Sequence, residues 1–423
     1  MLTAISRYGS RLAPEADALI ESCRRRGELL RGPELPAFEN AFAAHLGGGR
    51  AVSTSYGRMA FYYVLKALDL PAGSEIVFPA LTFWVVPEMA RALGLSPVFA
   101  DVDPWTFNID PAALERAITP RTRAVVPTHI YGLPCDLDPV LSIARRHGLR
   151  VIEDCAHSLG ASYHGRPVGT FGDAAFFSFQ LLKPLNTFGG GMAFTRDPGL
   201  GQRIASLAFA EPWPAEAEVR SRIRLGRLER RLTRPTAFTL TVFPILWATS
   251  FLHVNPDVYL WEKVRSLRPL PPSYRRRYSN VQAALGLAGL ERLSEWTDRA
   301  RAHALFLGAS LAGVDGLRVP SEPTDRIHVY YQYCVYVPER DATVQRCLRS
   351  GLDVEHHHMD VCSDVPLFGA ASAAPGARRT ADAIQLPVHS ELTPRHLEAV
   401  ARRFRRAVAA SPPRPARAIQ ALR

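Results

Sequence analysis

From about residue 50, short runs of apolar and β-branched residues alternate with segments of helical period. The runs are AVSTS (51–55), EIVFP (75–79), PVFAD (97–101), AVVPTHI (124–130), RVIED (150–154), AAFFSF (174–179) and MAFT (192–195). Several are apolar at almost every position, the pattern of strands covered on both faces. Between the earlier ones, GRMAFYYVLKALDL (57–70) and PAALERAI (111–118) place apolar residues at helical spacing. This alternation predicts an α/β fold with a mostly parallel seven-stranded sheet, its functional loops at the carboxyl ends of the strands.

After residue 195 the pattern changes. Residues 280–311 predict one or two long amphipathic helices, HVYYQYCVYV (328–337) and AIQLPVH (383–389) predict strands, and 394–410 predict a closing helix. The chain therefore divides into a large α/β domain, residues 1–275, and a smaller C-terminal α/β domain, residues 276–423, entered through a connecting helix. An insert at about 210–272 interrupts the first. It carries seven arginines within 220–234, followed by PTAFTLTVFPILWATSFLHVNP (235–256), which has no Asp, Glu, Lys or Arg. That run is long enough to span a bilayer, but Pro235, Pro244 and Pro256 and several hydroxyl residues dilute it. Three readings stay open: a span, peripheral contact of 220–256 with an anionic leaflet, or a helical hairpin at a subunit interface.

Composition adds limits. Apolar residues make up 47% and charged residues 22% of the 423, as in soluble globular proteins. A net charge of +11 favours anionic partners, among them phosphorylated small molecules. No RNP-like, zinc-finger or helix-turn-helix pattern accompanies it, so nucleic acid is not an expected partner. The six cysteines are scattered without a CxxC pair, and the first 30 residues contain no apolar signal core. A cytoplasmic protein is expected, with membrane association through the insert as the variant.

Arginine fills nearly every basic position; of the 51 Lys and Arg residues, only Lys66, Lys183 and Lys263 are lysines. Lys183 lies in SFQLLKPLNTFGGG (178–191), flanked by Leu181, Leu182 and Pro184. An amine condenses with an aldehyde and a guanidinium does not, and apolar neighbours would depress its pKa. A snorkelling surface lysine is the other reading. Asp154 closes an apolar strand, where a carboxylate either pairs with a protonated pyridine nitrogen, as pyridoxal phosphate requires, or caps a helix. His157, three residues on, would sit beside such a ring or at the surface. STSYGRMAF (53–61) reads as strand, glycine turn and helix, so Gly57, free amides and Arg58 could hold a phosphate. Ser178 offers a hydroxyl five residues before Lys183. Phe83, after another strand end, either stacks on a cofactor or packs in the core.

These motifs, in this order, resemble the DegT/DnrJ/EryC1/StrS group of pyridoxal-phosphate-dependent aminotransferases. The resemblance runs over about 32–205 and 273–408. It is carried by GPELPAFENAFAAHLG, PALTFWVV, DVDPWTFNIDPAALERAI and VIEDCAHSLGASYHGRPVGTFGDAAFFSFQLLKPLNTFGGGMAFTRD, then by QAALGLAGLERL and IQLPVH. It implies a fold type I transferase that moves an amino group from an amino acid, glutamate by resemblance, to a keto sugar, in an active site completed across a homodimer. Lys183 matches the Schiff-base lysine, Asp154 the partner of the pyridine nitrogen, and His157 the residue beside the ring. Ser178 and Gly57 match phosphate contacts, and Phe83 matches the stacking aromatic. Arg58 replaces a usual threonine, Arg275 replaces an asparagine, and Arg277 matches a family arginine that contacts substrate. Nucleotide-linked sugars are the family's usual acceptors, and a lipid-linked acceptor is what the insert would favour.

VEHHHMDVC (354–362) invites a metal reading. Adjacent histidines on extended backbone point alternately to opposite faces, so the three cannot all reach one ion. No metal is expected, and the resemblance makes His356 and His358 candidate substrate contacts instead. Elimination or dehydration with the same cofactor, and a non-catalytic binding protein on the same fold, are the alternatives to amino transfer.

Overall fold

All seven apolar runs enter one sheet. The computed structural model describes residues 3–9, 11–252, 262–356, 359–369 and 371–409. Its main sheet contains β1 (Arg50–Thr54), β2 (Glu75–Pro79), β3 (Ser96–Ala100), β4 (Thr122–Val125), β5 (Arg150–Asp154), β6 (Ala174–Ser178) and β7 (Gly191–Thr195), in the order β1-β7-β6-β5-β4-β2-β3. The pairs β3/β2, β2/β4, β4/β5 and β5/β6 are parallel; β7 runs antiparallel to both its neighbours. Two apolar clusters cover the faces. One contains Phe38, Phe42, Val77, Val125, Val151 and Phe177; the other contains Phe61, Phe78, Ala124, Ile152 and Phe176. Successive strand residues thus alternate between two cores, which is why the runs carry no polar face.

The helix α1 (Gly57–Leu68) follows β1 and lies against β6 and β7. Its Gly57 meets Gly191 at the head of β7: a Cβ on Gly191 would fall 2.4 Å from the Gly57 Cα. Only glycines permit two backbones that close. β4 ends earlier than its apolar run, because Pro127 has no N–H to continue the ladder.

The insert folds as α2 (Glu216–Leu232), α3 (Pro235–Leu240) and α4 (Val242–Leu252). Phe238, Phe243 and Leu246 pack with Leu307, Val344 and Leu348 of the C-terminal part. Leu240, Ile245, Trp247, Phe251 and Leu252 are exposed. Among the described residues no helix is long and apolar enough to cross a membrane. Residues 253–256 of the apolar run lie outside the described residues.

The connecting segment is two helices, α5 (Asn280–Glu291) and α6 (Leu293–Leu311), which meet at Arg292. Beyond them β8 (Tyr333–Tyr336), β9 (Glu355–His356) and β10 (Ala383–Leu386) form an antiparallel sheet in the order β8-β10-β9, followed by α7 (Pro394–Ala409). β8 starts later than the sequence pattern suggests: Tyr330 takes a left-handed φ of 43°, which breaks a strand. The chain's beginning is drawn onto this part. Ile5 donates to the Gly351 carbonyl (3.0 Å) and accepts from the Asp353 N–H (3.0 Å), so the chain at Ile5 runs beside the segment that leads into β9.

Candidate active site

The carboxyl end of β5 is clamped before it reaches the site. Both Glu153 oxygens accept backbone N–H groups, from Gly169 (2.7 Å), Phe171 (2.7 Å) and Gly172 (2.8 Å). His129 Nδ1 accepts from the Cys135 N–H (3.0 Å), so its Nε2 carries the proton and donates to Glu153 (3.1 Å). The His129 N–H then donates to the Asp154 carbonyl (3.1 Å), and the Asp154 N–H to that of Pro127 (2.9 Å). His129, Glu153 and Cys155 bring potential ligand atoms within 4.8 Å of one another, all buried. Their hydrogen bonds account for the imidazole and the carboxylate as a proton-mediated clamp.

Asp154 emerges from this clamp as a buried carboxylate, 4% exposed, accepting the Ala156 N–H at 3.0 Å. Burial pushes its pKa up to about 6, against the pull of that N–H and of Lys183. Lys183 sits in the loop from β6 to β7, its N–H turned onto the Gln180 carbonyl (2.9 Å). Burial lowers the amine to about 8, with Arg58 acting in the same direction and Asp154 opposing. A carboxylate shifted up and an amine shifted down in one cavity is an arrangement suited to proton transfer near neutral pH.

That cavity, about 620 Å³, is lined by Gly57, Arg58, Phe83, Asp154, His157, Ser178 and Lys183, with Thr82, Gln180 and Met359 among the remainder. All seven sequence-predicted cofactor residues therefore share one space. Gly57 starts α1 with no side-chain cap, leaving first-turn amides available to an anion. A Cβ there would fall 2.9 Å from Ser178 Cβ and 3.0 Å from the Phe177 carbonyl, so glycine keeps the turn pressed against the serine. The Thr82 hydroxyl, fully buried, finds no hydrogen-bond partner among the described residues. Amine, carboxylate, anion-accepting helix start and an unpartnered hydroxyl in one chamber fit a phosphorylated aldehyde of pyridine size.

Arg58 reaches the cavity with its charge already matched. Its guanidinium forms two hydrogen bonds with Glu262 (3.0 and 2.8 Å) and one with the Tyr274 hydroxyl (2.6 Å), and lies 5.6 Å from the Phe83 ring centre. His157 accepts the Tyr131 N–H at Nδ1 (3.3 Å) and stacks on Tyr331, with ring centres 4.4 Å apart. Lys183 Nζ lies 5.1 Å from the centre of the same Tyr331 ring. No sequence signal marks Tyr331, Thr82, Glu262 or the His129–Glu153 clamp. Tyr331 lies inside a run that reads as strand, and a cation–ring contact leaves no mark in one-dimensional spacing.

The other candidates lie elsewhere. Arg277 stacks over Trp213 at 3.9 Å, outside this cavity, and Arg275 bonds Glu211 (3.0 Å). His356 lies in β9, while His358 falls outside the described residues.

The profile of the DegT/DnrJ/EryC1/StrS aminotransferase family matches residues 11–214 and 253–405, leaving 215–252 outside the match. The spore coat polysaccharide biosynthesis protein SpsC of Bacillus subtilis is 34% identical over 320 residues, 76% of this chain and 72% of that one. The GDP-perosamine synthase of Caulobacter vibrioides is 30% identical over 86% of this chain and 87% of its own length. Among solved structures, DesV of S. venezuelae in complex with a ketimine intermediate superposes with a TM-score of 0.75 at 27% identity, covering 94% of this chain and 95% of that one.

Proposed function

The chain belongs to the DegT/DnrJ/EryC1/StrS aminotransferase family, and from that premise we propose that it transfers an amino group from glutamate to a nucleotide-linked keto sugar with pyridoxal phosphate as cofactor. The observation that carries the reading is the shared cavity of Lys183 and Asp154, with pKa values moved toward each other. The relatives named for GDP-perosamine and for spore coat polysaccharide support a sugar acceptor. The net charge of +11 suits a diphosphate-bearing one.

Pyridoxal phosphate, when bound, supplies an aldehyde for amines and a ring that withdraws electrons from the attached carbon. The rest falls to this chain. Lys183 is the amine that would hold the aldehyde and, when free, would carry a proton to and from the donor's α-carbon. Asp154 keeps a proton on the ring nitrogen; its carboxylate, sheltered from water, acts at short range and low dielectric. Gly57, the first turn of α1 and Ser178 take the phosphate. His157, supported by Tyr331, flanks the ring. Arg58 contributes through its charge and its contact with Phe83 rather than as an unpaired phosphate ligand, because Glu262 and Tyr274 occupy three of its five N–H donors. A homodimer completes the acceptor pocket, with Arg277, His356 and His358 as its proposed contacts.

Residues 215–252 of the insert sit outside the family profile, and Trp247, Phe251 and Leu252 there are exposed. Arg349 donates to the Ser250 carbonyl (2.8 Å) and stacks on Phe251 at 4.5 Å. Apolar side chains set among cations suit peripheral contact with an anionic leaflet, and the reading extends to a cytoplasmic enzyme working at a membrane face. The large-domain boundary near residue 275 and the small domain from 276 belong to the same proposal.

A screen of nucleotide-linked keto sugars with glutamate, scored by mass for the amino sugar, tests the central reading. Glutamate-dependent product is expected. A bound chromophore with no amino sugar formed from any acceptor would count against it.

A further inference from the structure

A second cavity, of about 440 Å³, is bordered by Tyr331, Arg11, Leu182, Gln332, Gln385 and His389. Its walls hold an unusual number of unmatched polar groups. Both amide atoms of Gln385 (3% exposed), Oε1 of Gln332 and Nδ1 of His389 find no hydrogen-bond partner among the described residues. Buried polar groups are normally paired, and several orphans around one space mark a missing ligand or water.

The second observation is Arg11. Its guanidinium is buried, 8% exposed, and it enters no hydrogen bond or ion pair among the described residues. Burial lowers its pKa, with the Tyr331 hydroxyl and Glu391 acting in the opposite direction. Arg7, which lines the same space, is committed: its Nε lies 3.4 Å from Asp353 and its Nη1 4.0 Å from Glu355. Among the described residues lining this space, Arg11 is therefore the arginine without a hydrogen-bonded or ion-paired partner. The backbone goes out of its way to deliver it, with a left-handed φ of 39° at Arg11. Gly9 makes room, since a Cβ there would fall 2.5 Å from His389 Nδ1.

His157 of the first cavity stacks on Tyr331, which lines the second. Arg11 Cζ lies 5.8 Å from its ring centre and Lys183 Nζ 5.1 Å, so guanidinium and amine are no farther apart than those two lengths end to end. From a nitrogen at Lys183, the side-chain carboxylate of a dicarboxylic amino acid spans most of that upper limit, which its α-carboxylate does not.

We propose that Arg11, with the amide of Gln385, is the carboxylate-binding site for the amino-acid donor. This rests on the aminotransferase reading above. A planar guanidinium offers two parallel N–H groups to a carboxylate, and the free amide adds a third donor. The unpaired acceptors of Gln332 and His389 then face water or the donor's ammonium on entry. Donor recognition is thereby assigned to the N-terminal segment, which docks through Ile5 against the segment that leads into β9.

The test uses the full-length protein and two readouts. Calorimetric titration with glutarate, a dicarboxylate without an amine, is expected to give saturable binding that Arg11→Gln weakens at least tenfold and Arg11→Lys weakens less. With cofactor supplied, Arg11→Gln should raise the KM for glutamate at least tenfold. The reverse half-reaction with the amino-sugar product should fall by much less. Should Arg11→Gln fail to fold, judged by circular dichroism, Gln385→Leu carries the same expectation. Unchanged glutarate binding, or equal losses in both half-reactions, overturns the assignment. A wild-type protein that binds glutarate but makes no amino sugar would instead count against the aminotransferase reading and leave the subsite standing.

Discussion

Asp154 and Lys183 act on each other's protons inside one buried cavity: the carboxylate holds the amine's pKa up against burial, and the amine holds the carboxylate's down. Burial wins in both, leaving Lys183 at about 8 and Asp154 at about 6. Capture of pyridoxal phosphate by the cofactor-free protein, followed by visible absorbance, should therefore accelerate as pH rises through about 8, where the amine loses its proton. Asp154→Asn removes the partner that raises the amine's pKa and should move that midpoint down. Arg58→Gln removes a cation that lowers it and should move it up. A midpoint in the range of an ordinary lysine would contradict the burial argument.

The same shift at Asp154 has a sign for stability. Its folded pKa is raised, so its contribution is most favourable below the usual aspartate range and is lost as pH rises through about 6. The loss amounts to about 3 kcal/mol. In the cofactor-free protein, Asp154→Asn should flatten that part of the urea-stability profile; an identical pH dependence in both proteins would argue against it.

Lys183→Arg keeps charge and length but cannot form the carbon–nitrogen double bond. The variant is expected to fold, with the wild-type circular dichroism spectrum, and to lose both the visible absorbance and the borohydride-reducible label. Retention of a reducible chromophore would remove Lys183 from its proposed role.

Gly57→Ala forces a methyl group against Ser178 and the Phe177 carbonyl. Separating α1 from β6 should cost about 1–3 kcal/mol in urea unfolding and weaken cofactor binding by tenfold or more. Stability lost with cofactor affinity intact would show that the helix start does not take the phosphate.

Glu153→Ala strips three backbone N–H groups and His129 of their acceptor. Leaving that many buried donors unpaired should destabilise the protein by about 3–5 kcal/mol, measured by denaturant titration. A change under about 1 kcal/mol would mean that water or a neighbour replaces the carboxylate.

Vesicles rich in anionic lipid should sediment the wild-type protein at low salt and release it at high salt. The double change Trp247→Ser and Phe251→Ser should reduce sedimentation several-fold without altering amino transfer. Equal sedimentation of both proteins, or none of either, would assign the exposed face of α3 and α4 to something other than a leaflet.

Much of this was legible in one dimension. The seven strands are readable because a sheet covered on both faces needs side chains that are apolar on both faces, and such runs stand out. Lys183 is readable because arginine replaces lysine wherever charge suffices. Asp154, His157, Gly57, Ser178 and Phe83 follow from the order of strand ends and turns together with the family resemblance, and the cavity gathers them. Where runs and strands disagree, the cause is local: Pro127 truncates β4, and Tyr330 delays β8.

Tertiary structure alone decided the partners. Nothing in the spacing says that Arg58 meets Glu262, 204 residues on, or that His157 stacks on Tyr331. Nor does it say that Arg11 comes within 5.8 Å of the centre of that ring. Local pattern fixes which face of a strand or helix is apolar, because that choice is made within a few residues of chain. Which charges find counter-ions and which are left open to a ligand depends on close approach between distant segments, and that is settled only when the chain packs.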